Sequence, residues 1–267
     1  MVGELLEGIP DVIYKYRDYD NKWNRKTLFD FELYLPSMSQ FNDPFEGQLP
    51  FTYKSEDLTP EKIFLKLIET GKQMHPEWTE EELHHNAYER QREDLMNDDK
   101  HLANVDKLLV DSVESSYGVL SLAEYSRNYL MWSHYASSHT GFAIGFDTKI
   151  IMNVSGGLLG KVIYSDKFPE MPMFGDISKL ADFHSLICTK STVWEYEQEV
   201  RITKHGWAKS TVHYPKEMIK EIILGVKMRQ ERKDEIIAFV VKEDIDCEIF
   251  ELSLAKKKFE LDSLRIY

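Results

Sequence analysis

Alternating apolar and polar positions predict β-strands at both ends of the chain. Near the start, Val12–Arg17 combines β-branched and aromatic residues over six positions, which is typical of a strand. Segments of similar character predict further strands at residues 33–35, 117–122, 141–147, 161–164, 221–225 and 247–252. This distribution indicates a core that is rich in β-structure.

Helical spacing of apolar residues dominates the region between the early and the later strands. A first helix is predicted with Thr59 as its N-cap and Pro60 at its first position, where proline is favoured. A second is predicted from Glu80, whose acidic first turn suits the helix dipole, and a third from about His101. We interpret residues 59–116 as a helical insertion that covers one side of the β-rich core.

The remaining helical segments are short and scattered along the chain. They are predicted at residues 23–31, 129–136, 175–187 and 230–241. The chain contains no internal repeat, no Ser/Gly linker and no regular βαβ alternation. We therefore predict an α+β fold with a mixed or antiparallel sheet, in which residues 1–267 form a single domain with the insertion.

One acidic stretch carries most of the candidate chemistry. In Trp194–Arg201, three glutamates alternate with other residues and an arginine follows. If the stretch is a strand, Glu195, Glu197, Glu199 and Arg201 lie on one face. Like charges two residues apart destabilise a strand unless solvent, a cation or a ligand meets them. The pattern leaves two interpretations open, an edge strand with a solvated acidic face or a functional site.

Two segments that precede this stretch also concentrate aromatic and polar residues. Gln40–Gly47 contains Asn-Asp-Pro between two phenylalanines, and this is strong turn chemistry. It is either a structural turn or a loop that places Asp43 or Glu46 at the rim of a pocket. The predicted helix at residues 129–136 is heavily aromatic, and the glycines of the strand after it permit close approach of a helix or ligand.

Composition narrows the classes of function. The 267 residues carry a formal net charge of −13, which argues against tight, sequence-independent binding to nucleic acid and leaves only a local basic groove possible. Cys188 and Cys247 have no zinc-ligand or disulfide-framework spacing, and no apolar run is long enough to span a membrane. We therefore expect a soluble cytoplasmic protein. We also expect no bound metal, because His84 and His85 cannot share a helix face and His134 and His139 lack zinc-protease spacing.

Four dense motifs, in this order, resemble a widespread bacterial and phage family known as domain of unknown function 2971. The motifs are Tyr14–Arg17, Phe41–Glu46, Trp132–Ala136 with Gly141–Asp147, and Trp194–Arg201. The resemblance extends over roughly residues 12 to 225. The family name implies no activity, so function must be inferred from the residues themselves.

A second, fainter resemblance is to ADP-ribosyltransferases, which have a split sheet and use NAD as a substrate. It implies that Arg17 helps to hold NAD and that Glu197 and Glu199 form the Glu-x-Glu pair that acts on the nicotinamide ribose. It gives the aromatic role beside the nicotinamide to Tyr135 or Trp132, and suggests a toxin or phage-defence setting. The sequence departs from that plan in having no clear Ser-Thr-Ser strand and in its helical insertion.

The favoured hypothesis is therefore an NAD-using ADP-ribosyltransferase or NAD glycohydrolase. Its partners would be a small-molecule nucleotide and an unidentified acceptor macromolecule, without a membrane. The predicted catalytic residues are Glu199 and Glu197; the predicted NAD-binding residues are Arg17, Tyr16, Trp132, His134 and Tyr135; the predicted substrate-binding residues are Asn42, Asp43, Glu46, Lys190 and Arg201.

Two alternatives from other functional classes stay open. In a metal-dependent nuclease, Asp43, Glu46, Glu197 and Glu199 would gather around Mg²⁺, with Lys190 near a phosphate. In a non-catalytic module, Trp132, His134 and Tyr135 would line a pocket for a sensed ligand or a partner. The transferase requires Arg17 near Glu199, and the nuclease requires carboxylates that converge at metal-bond distance.

Overall fold

The computed structural model describes residues 8–46, 54–94, 98–170 and 187–267. The described strands are β1 (Val12–Arg17), β2 (Glu32–Leu35), β3 (Tyr117–Ala123), β4 (Phe142–Asp147), β5 (Leu158–Lys161), β6 (Ile163–Tyr164), β7 (Thr189–Lys190), β8 (Glu199–His205), β9 (Ser210–His213), β10 (Ile219–Leu224), β11 (Glu248–Leu254) and β12 (Leu261–Arg265). The described α-helices are α1 (Lys22–Phe29), α2 (Pro60–Met74), α3 (Glu80–Arg92), α4 (Asp99–Ser116), α5 (Tyr129–Tyr135), α6 (Thr148–Ser155) and α7 (Gln230–Lys242). The fold is α+β with a large mixed sheet, as predicted.

The main sheet has eight strands in the order β12-β11-β10-β4-β1-β3-β8-β5. Among its described strands, only β10 and β11 pair in parallel; the other described neighbours are antiparallel. Two small described sheets accompany it, β2 with β9 and β6 with β7. This mixture follows from connections of very different lengths, because parallel neighbours need a crossover and α7 provides one between β10 and β11.

The sheet separates between β1 and β3. β1 pairs with β4 along its whole length, whereas its pairing with β3 is confined to Tyr14 and Ala123. Beyond that pair, Lys15 spans the gap and donates a hydrogen bond from its ammonium to the Ser121 carbonyl. The rest of β3 is paired with β8. An opening therefore lies in the middle of the sheet, beside the strand that carries Arg17.

Apolar side chains fill the two faces of the sheet. The larger core includes Ile13, Phe142, Ile144 and Val200. A smaller cluster on the side of α5 includes Tyr16 and the fully buried Trp132, whose rings meet edge to face at 5.2 Å between centroids. Such aromatic pairs add roughly 0.5–1.5 kcal/mol beyond the burial of their area. The packing holds α5 against β1, next to the opening.

The three helices predicted at residues 59–116 are present as α2, α3 and α4. Thr59 caps α2 and Pro60 lies in its first turn, as the sequence indicates. Thr79 caps α3 in a reciprocal box with Glu82, so two backbone donors at the helix start are satisfied. The prediction that this segment is an insertion within one domain stays a prediction.

The prediction of one continuous strand at residues 194–201 was wrong. Thr192–Glu197 is a 3-10 helix and Gln198 is left-handed, with φ 42° and ψ 58°, so β8 begins only at Glu199. The solvated edge-strand interpretation was also wrong, because β8 lies between β3 and β5 and both Glu197 and Glu199 are buried. A left-handed residue breaks the alternation on which the prediction depended.

Smaller differences between the predicted and the observed elements lie in the segments between the motifs. The single strand predicted at 161–164 is divided into β5 and β6, and β12 follows the strand that was expected to be last. The sequence reading did not anticipate α6 or β9. The helix predicted at 175–187 lies almost wholly outside the described residues. No helix among the described residues has the length and apolar character needed to cross a membrane.

Candidate active site

The opening between β1 and β3 is the mouth of a cavity of about 510 Å³. Its volume is in the range of small-molecule sites. The cavity brings together most of the predicted site residues: its lining includes Arg17, Tyr16, His134, Tyr135, Asn42, Glu46, Lys190, Glu197 and Glu199. Four different regions of the chain therefore converge here, as the hypothesis of a functional site requires.

Three of the predicted residues do not line this cavity. Trp132 is fully buried behind it and donates its indole N–H to the Ser126 carbonyl at 2.7 Å. Arg201 is also fully buried and holds the carboxylates from behind. Asp43 borders a neighbouring cavity of about 220 Å³, to which Glu46 and Lys190 also contribute. Trp132 and Arg201 are thus buried next to residues that line the main cavity, whereas Asp43 borders the neighbouring one.

A buried charge cluster forms one side of the cavity, and we define it as Glu46, Lys190, Glu197, Glu199 and Arg201. The Lys190 ammonium lies 2.9 Å from Glu46, 2.6 Å from Glu197 and 3.3 Å from Glu199. Arg201 contacts both oxygens of Glu199, at 2.8 and 3.0 Å, and one oxygen of Glu46 at 2.8 Å. Three carboxylates are thus held by two cations, which leaves a formal charge of −1.

Local structure explains how each carboxylate reaches the cluster. The 3-10 turn at residues 192–197 ends at Glu197, and the left-handed Gln198 reverses direction so that Glu199 starts β8 facing the same centre. Arg201 is two residues further along β8, on the same strand face as Glu199. Glu46 arrives on the Asn-Asp-Pro turn, where Asp43 accepts a hydrogen bond from the Phe45 N–H at 3.0 Å.

The pKa values of the two glutamates in the Glu-x-Glu pair are shifted in opposite directions. Burial raises the pKa of Glu199, but the charge and hydrogen bonds of Arg201 outweigh burial and lower that pKa to about 2. Burial raises the pKa of Glu197 too, and here the opposing hydrogen bonds from Lys190 and Tyr135 do not fully compensate. Glu199 is therefore a fixed anion at neutral pH, and Glu197 takes up a proton more readily.

Tyr135 connects the aromatic helix to this cluster. Its hydroxyl donates a hydrogen bond to Glu197 at 2.5 Å, and the Asn42 amide donates to that hydroxyl at 3.4 Å. Burial and the negative charge of Glu197 raise the pKa of Tyr135, so its hydroxyl stays protonated. His134 lines the cavity from the same helix and packs near the ring of Tyr196.

The opposite side of the cavity is positively charged. Lys15 and Arg17 both line it, and among the described residues neither has a carboxylate within ion-pair distance. Arg17 donates from Nε to the Thr27 hydroxyl at 2.8 Å. Burial, together with the charge of Arg17, lowers the pKa of Lys15 to about 7. The cavity therefore has a cationic side on β1 and an anionic side on β8.

Two residues of this site were missed by the sequence reading, Lys15 and Ser121. Lys15 follows the same alternation that places Arg17, and its position two residues earlier in the strand was the available signal. Ser121 lines the cavity from β3, and its side chain helps to lower the pKa of Glu199. Nothing in the isolated sequence distinguishes that serine from others, because its role depends on the pairing of β3 with β8.

Comparison with known proteins shows a similarity to one family and gives no activity. Residues 131–202 match the model of a family described as Protein of unknown function (DUF2971). The match confirms the resemblance to this family and includes Tyr135, Lys190 and the Glu-x-Glu pair. It covers about a quarter of the chain, and Arg17 and Glu46 lie outside it. No curated protein and no solved structure matches the chain.

Proposed function

We propose that this protein cleaves the nicotinamide–ribose bond of NAD, as an ADP-ribosyltransferase or an NAD glycohydrolase. The observation that carries the proposal is the single cavity in which Arg17 on β1 and the Glu-x-Glu pair at the start of β8 face a common space. Joint lining by Arg17 and Glu199 is what the transferase hypothesis requires.

The cationic side of the cavity suits the pyrophosphate of NAD. A pyrophosphate carries two negative charges. Arg17 offers one cation and Lys15, whose pKa is about 7, offers a second when it is protonated; neither is paired with a carboxylate among the described residues. Hydrogen bonds between charged groups in a partly dry cavity are stronger than neutral ones. The split between β1 and β3 also lets the pyrophosphate approach backbone groups that are not committed to strand pairing.

The anionic side suits the reacting sugar. When the bond between C1′ of the ribose and N1 of nicotinamide breaks, its electron pair goes to the ring nitrogen and positive charge develops on the sugar. A fixed carboxylate beside that charge stabilises the transition state, which is usually the largest catalytic contribution. Glu199 is suited to this role because Arg201 keeps it ionised and contacts both of its carboxylate oxygens, at 2.8 and 3.0 Å.

Glu197 is suited to a different step. Its higher pKa and its hydrogen bond from Tyr135 fit a group that accepts a proton from the incoming water or acceptor hydroxyl. The apolar and aromatic lining, with Tyr16, Met131 and Phe41, offers a wall for the nicotinamide ring. We assign Glu199 to charge stabilisation and Glu197 to proton transfer within this proposal.

The metal-nuclease alternative is less well supported by the same side chains. Three carboxylates do converge, but the ammonium of Lys190 lies at their centre, within 3.3 Å of each. Among the described residues, no group of three or more His, Cys, Asp and Glu side chains is arranged to hold a metal ion. A metal bound by these carboxylates would have to displace a buried, hydrogen-bonded lysine.

The test is nicotinamide release from NAD by the purified protein, with and without cell extract as a source of acceptor. We expect Glu199→Gln to reduce release at least about 100-fold, in line with the loss of one preorganised electrostatic group. Glu195→Gln is the matched control, because Glu195 belongs to the same acidic stretch and is exposed. Melting temperatures of both variants would separate a catalytic defect from unfolding.

Loss of release in Glu199→Gln alone, with a folded protein, would support the proposal. Absence of release under both conditions, together with no NAD-dependent rise in melting temperature, would overturn it. The nuclease alternative would then be tested with Mg²⁺ or Mn²⁺ and nucleic acid. The toxin or phage-defence setting belongs to the proposal as well, and growth arrest on induced expression that requires Glu199 would support it.

A further inference from the structure

The hairpin that joins β11 to β12 carries a concentration of positive charge on an acidic protein. Its tip reads Lys256-Lys257-Lys258-Phe259, and all four side chains are exposed, Phe259 to 99%. Lys258 lies 3.7 Å from Glu260, whereas Lys256 and Lys257 have no ion pair among the described residues. We call this segment, residues 255–260, the basic hairpin.

The basic hairpin borders a groove of about 600 Å³ on the surface. The opposite wall includes Tyr129, which is 48% exposed, and His139. The groove thus combines a row of lysines with two exposed aromatic rings, Phe259 and Tyr129. An edge strand is commonly protected from aggregation by lysines, but that role gives no reason to expose a phenylalanine almost completely beside them.

We propose that the basic hairpin and its groove bind a short segment of single-stranded nucleic acid. Lysine ammonium groups would contact successive phosphates, and Phe259 and Tyr129 would stack on bases. This combination of cations and aromatic platforms is the usual basis of single-strand binding without sequence preference. The site is separate from the NAD chemistry proposed above and does not depend on it.

The distribution of charge selects this class of partner over other polyanions. The chain as a whole carries −13, so a duplex or an anionic membrane, each an extended charged surface, would be repelled by the rest of the molecule. A flexible single strand can engage the hairpin alone, because charges further away than about 8 Å are screened at physiological ionic strength. An acidic peptide would satisfy the lysines but would give the exposed rings no stacking partner.

The experiment is fluorescence anisotropy with a labelled 20-nucleotide poly-dT strand at several salt concentrations. We expect binding whose log–log salt slope is about −2, from three lysines at roughly 0.7 counterions each. Lys256→Gln/Lys257→Gln/Lys258→Gln should weaken binding at least about tenfold at low salt and remove most of that slope. Phe259→Ala should weaken binding about fivefold or more, since stacking contributes about 1–3 kcal/mol per base.

The matched control is Lys72→Gln/Lys100→Gln/Lys107→Gln, which makes the same change in net charge elsewhere. These three lysines are exposed on the helices of residues 60–116. This variant should bind poly-dT like the unmodified protein. Equal weakening by the two triple variants, or no binding of the unmodified protein at low salt, would overturn the proposal. So would equal competition by polyglutamate, by duplex DNA or by anionic vesicles, because each would identify a different class of partner.

Discussion

The molecule uses charged side chains in two opposite ways. The charge cluster beside the main cavity places five ionised groups in a space where each side chain is at most 5% exposed. Helix α3 begins with Glu80, Glu81 and Glu82 and ends with two arginines, and nearly all of these side chains are in water. Charges in water gain little from pairing, whereas buried charges depend on every partner they have.

The strong electrostatic interactions are concentrated in the buried cluster. Arg92 and Glu89 on α3 approach only to 3.5 Å and are both more than half exposed, so their pair is expected to contribute little. Arg201 is fully buried and contacts two carboxylates and a backbone carbonyl. We therefore expect an arginine to contribute little to stability on α3 and much more in the buried cluster.

The largest effect is expected from Arg201→Met. Removal of the guanidinium leaves Glu46 and Glu199 buried with Lys190 as their only remaining cation among the described residues. Loss of one partner from a buried ion pair typically costs about 3–5 kcal/mol. Urea unfolding should show this loss, whereas Arg92→Met should change the free energy of unfolding by less than about 0.5 kcal/mol. Similar effects in the two variants would contradict the comparison.

The contribution of Glu199 to stability should be lost at acid pH. Arg201 holds the pKa of Glu199 at about 2, below its ordinary 4.5, despite burial. A carboxyl with a lowered folded-state pKa stabilises the protein above its unfolded-state pKa and loses that contribution as pH falls toward the folded-state value. We therefore expect Glu199→Gln to be less stable than the unmodified protein by on the order of 3 kcal/mol above pH 4.5. The difference should shrink steadily toward pH 2, as measured by unfolding at each pH.

A difference that stays constant from pH 5 to pH 2 would contradict this assignment. Glu81→Gln on α3 is the control, because Glu81 is exposed. Its stability curve should be parallel to that of the unmodified protein. The contrast would then separate a buried carboxylate from an exposed one within a single chain.

Sequence reasoning succeeded where local rules apply. The alternation of Val12–Arg17 identified β1, and the cap at Thr59 identified the start of α2. The acidic stretch was selected as a site candidate, and Glu197 and Glu199 do line the main cavity, although the backbone of the stretch is not the predicted strand. Gln198 has no sequence feature that marks it as left-handed, so the change from 3-10 helix to strand could not be predicted.

The part of the site that could not be predicted from the sequence depends on contacts between distant residues. Glu46 and Arg201 are separated by 155 positions and meet at 2.8 Å. Lys190 was predicted to contact substrate, yet its ammonium is held inside the three carboxylates. No local pattern can show that a lysine and an arginine will share these anions, because the pairing of β3 with β8 and the position of β7 decide it.

On the cationic side of the cavity, the protonation of Lys15 should control the affinity for NAD. Burial, with the charge of Arg17, lowers the pKa of Lys15 from 10.5 to about 7. Its ammonium therefore loses a proton as pH rises through 7, and only the charged form can hold a pyrophosphate. Under the NAD proposal, apparent affinity for NAD should fall about tenfold from pH 6 to pH 8. Calorimetric titration should show this fall in the unmodified protein and a flat profile in Lys15→Met.

An unmodified protein whose affinity does not change over this range would contradict the role of Lys15. Lys22 provides the control, since its side chain is exposed at the start of α1. Replacement of Lys22 by methionine should preserve the pH dependence. Retention of the dependence in Lys15→Met would assign it to another group.

The smallest effect is expected at an exposed polar pair. Thr79 accepts a hydrogen bond from the Glu82 N–H, and Glu82 accepts one from the Thr79 N–H in return. Thr79→Ala should cost about 1 kcal/mol in urea unfolding, as typical for a lost N-cap. Thr79→Ala/Glu82→Ala should cost little more than the single change, because both residues belong to one reciprocal box and their effects are not additive. Nicotinamide release and its pH profile should not change, since α3 does not line the main cavity. An activity loss in these variants would show that the exposed pair on α3 affects the main cavity. It would contradict the expectation that exposed polar groups on this helix contribute only to local stability.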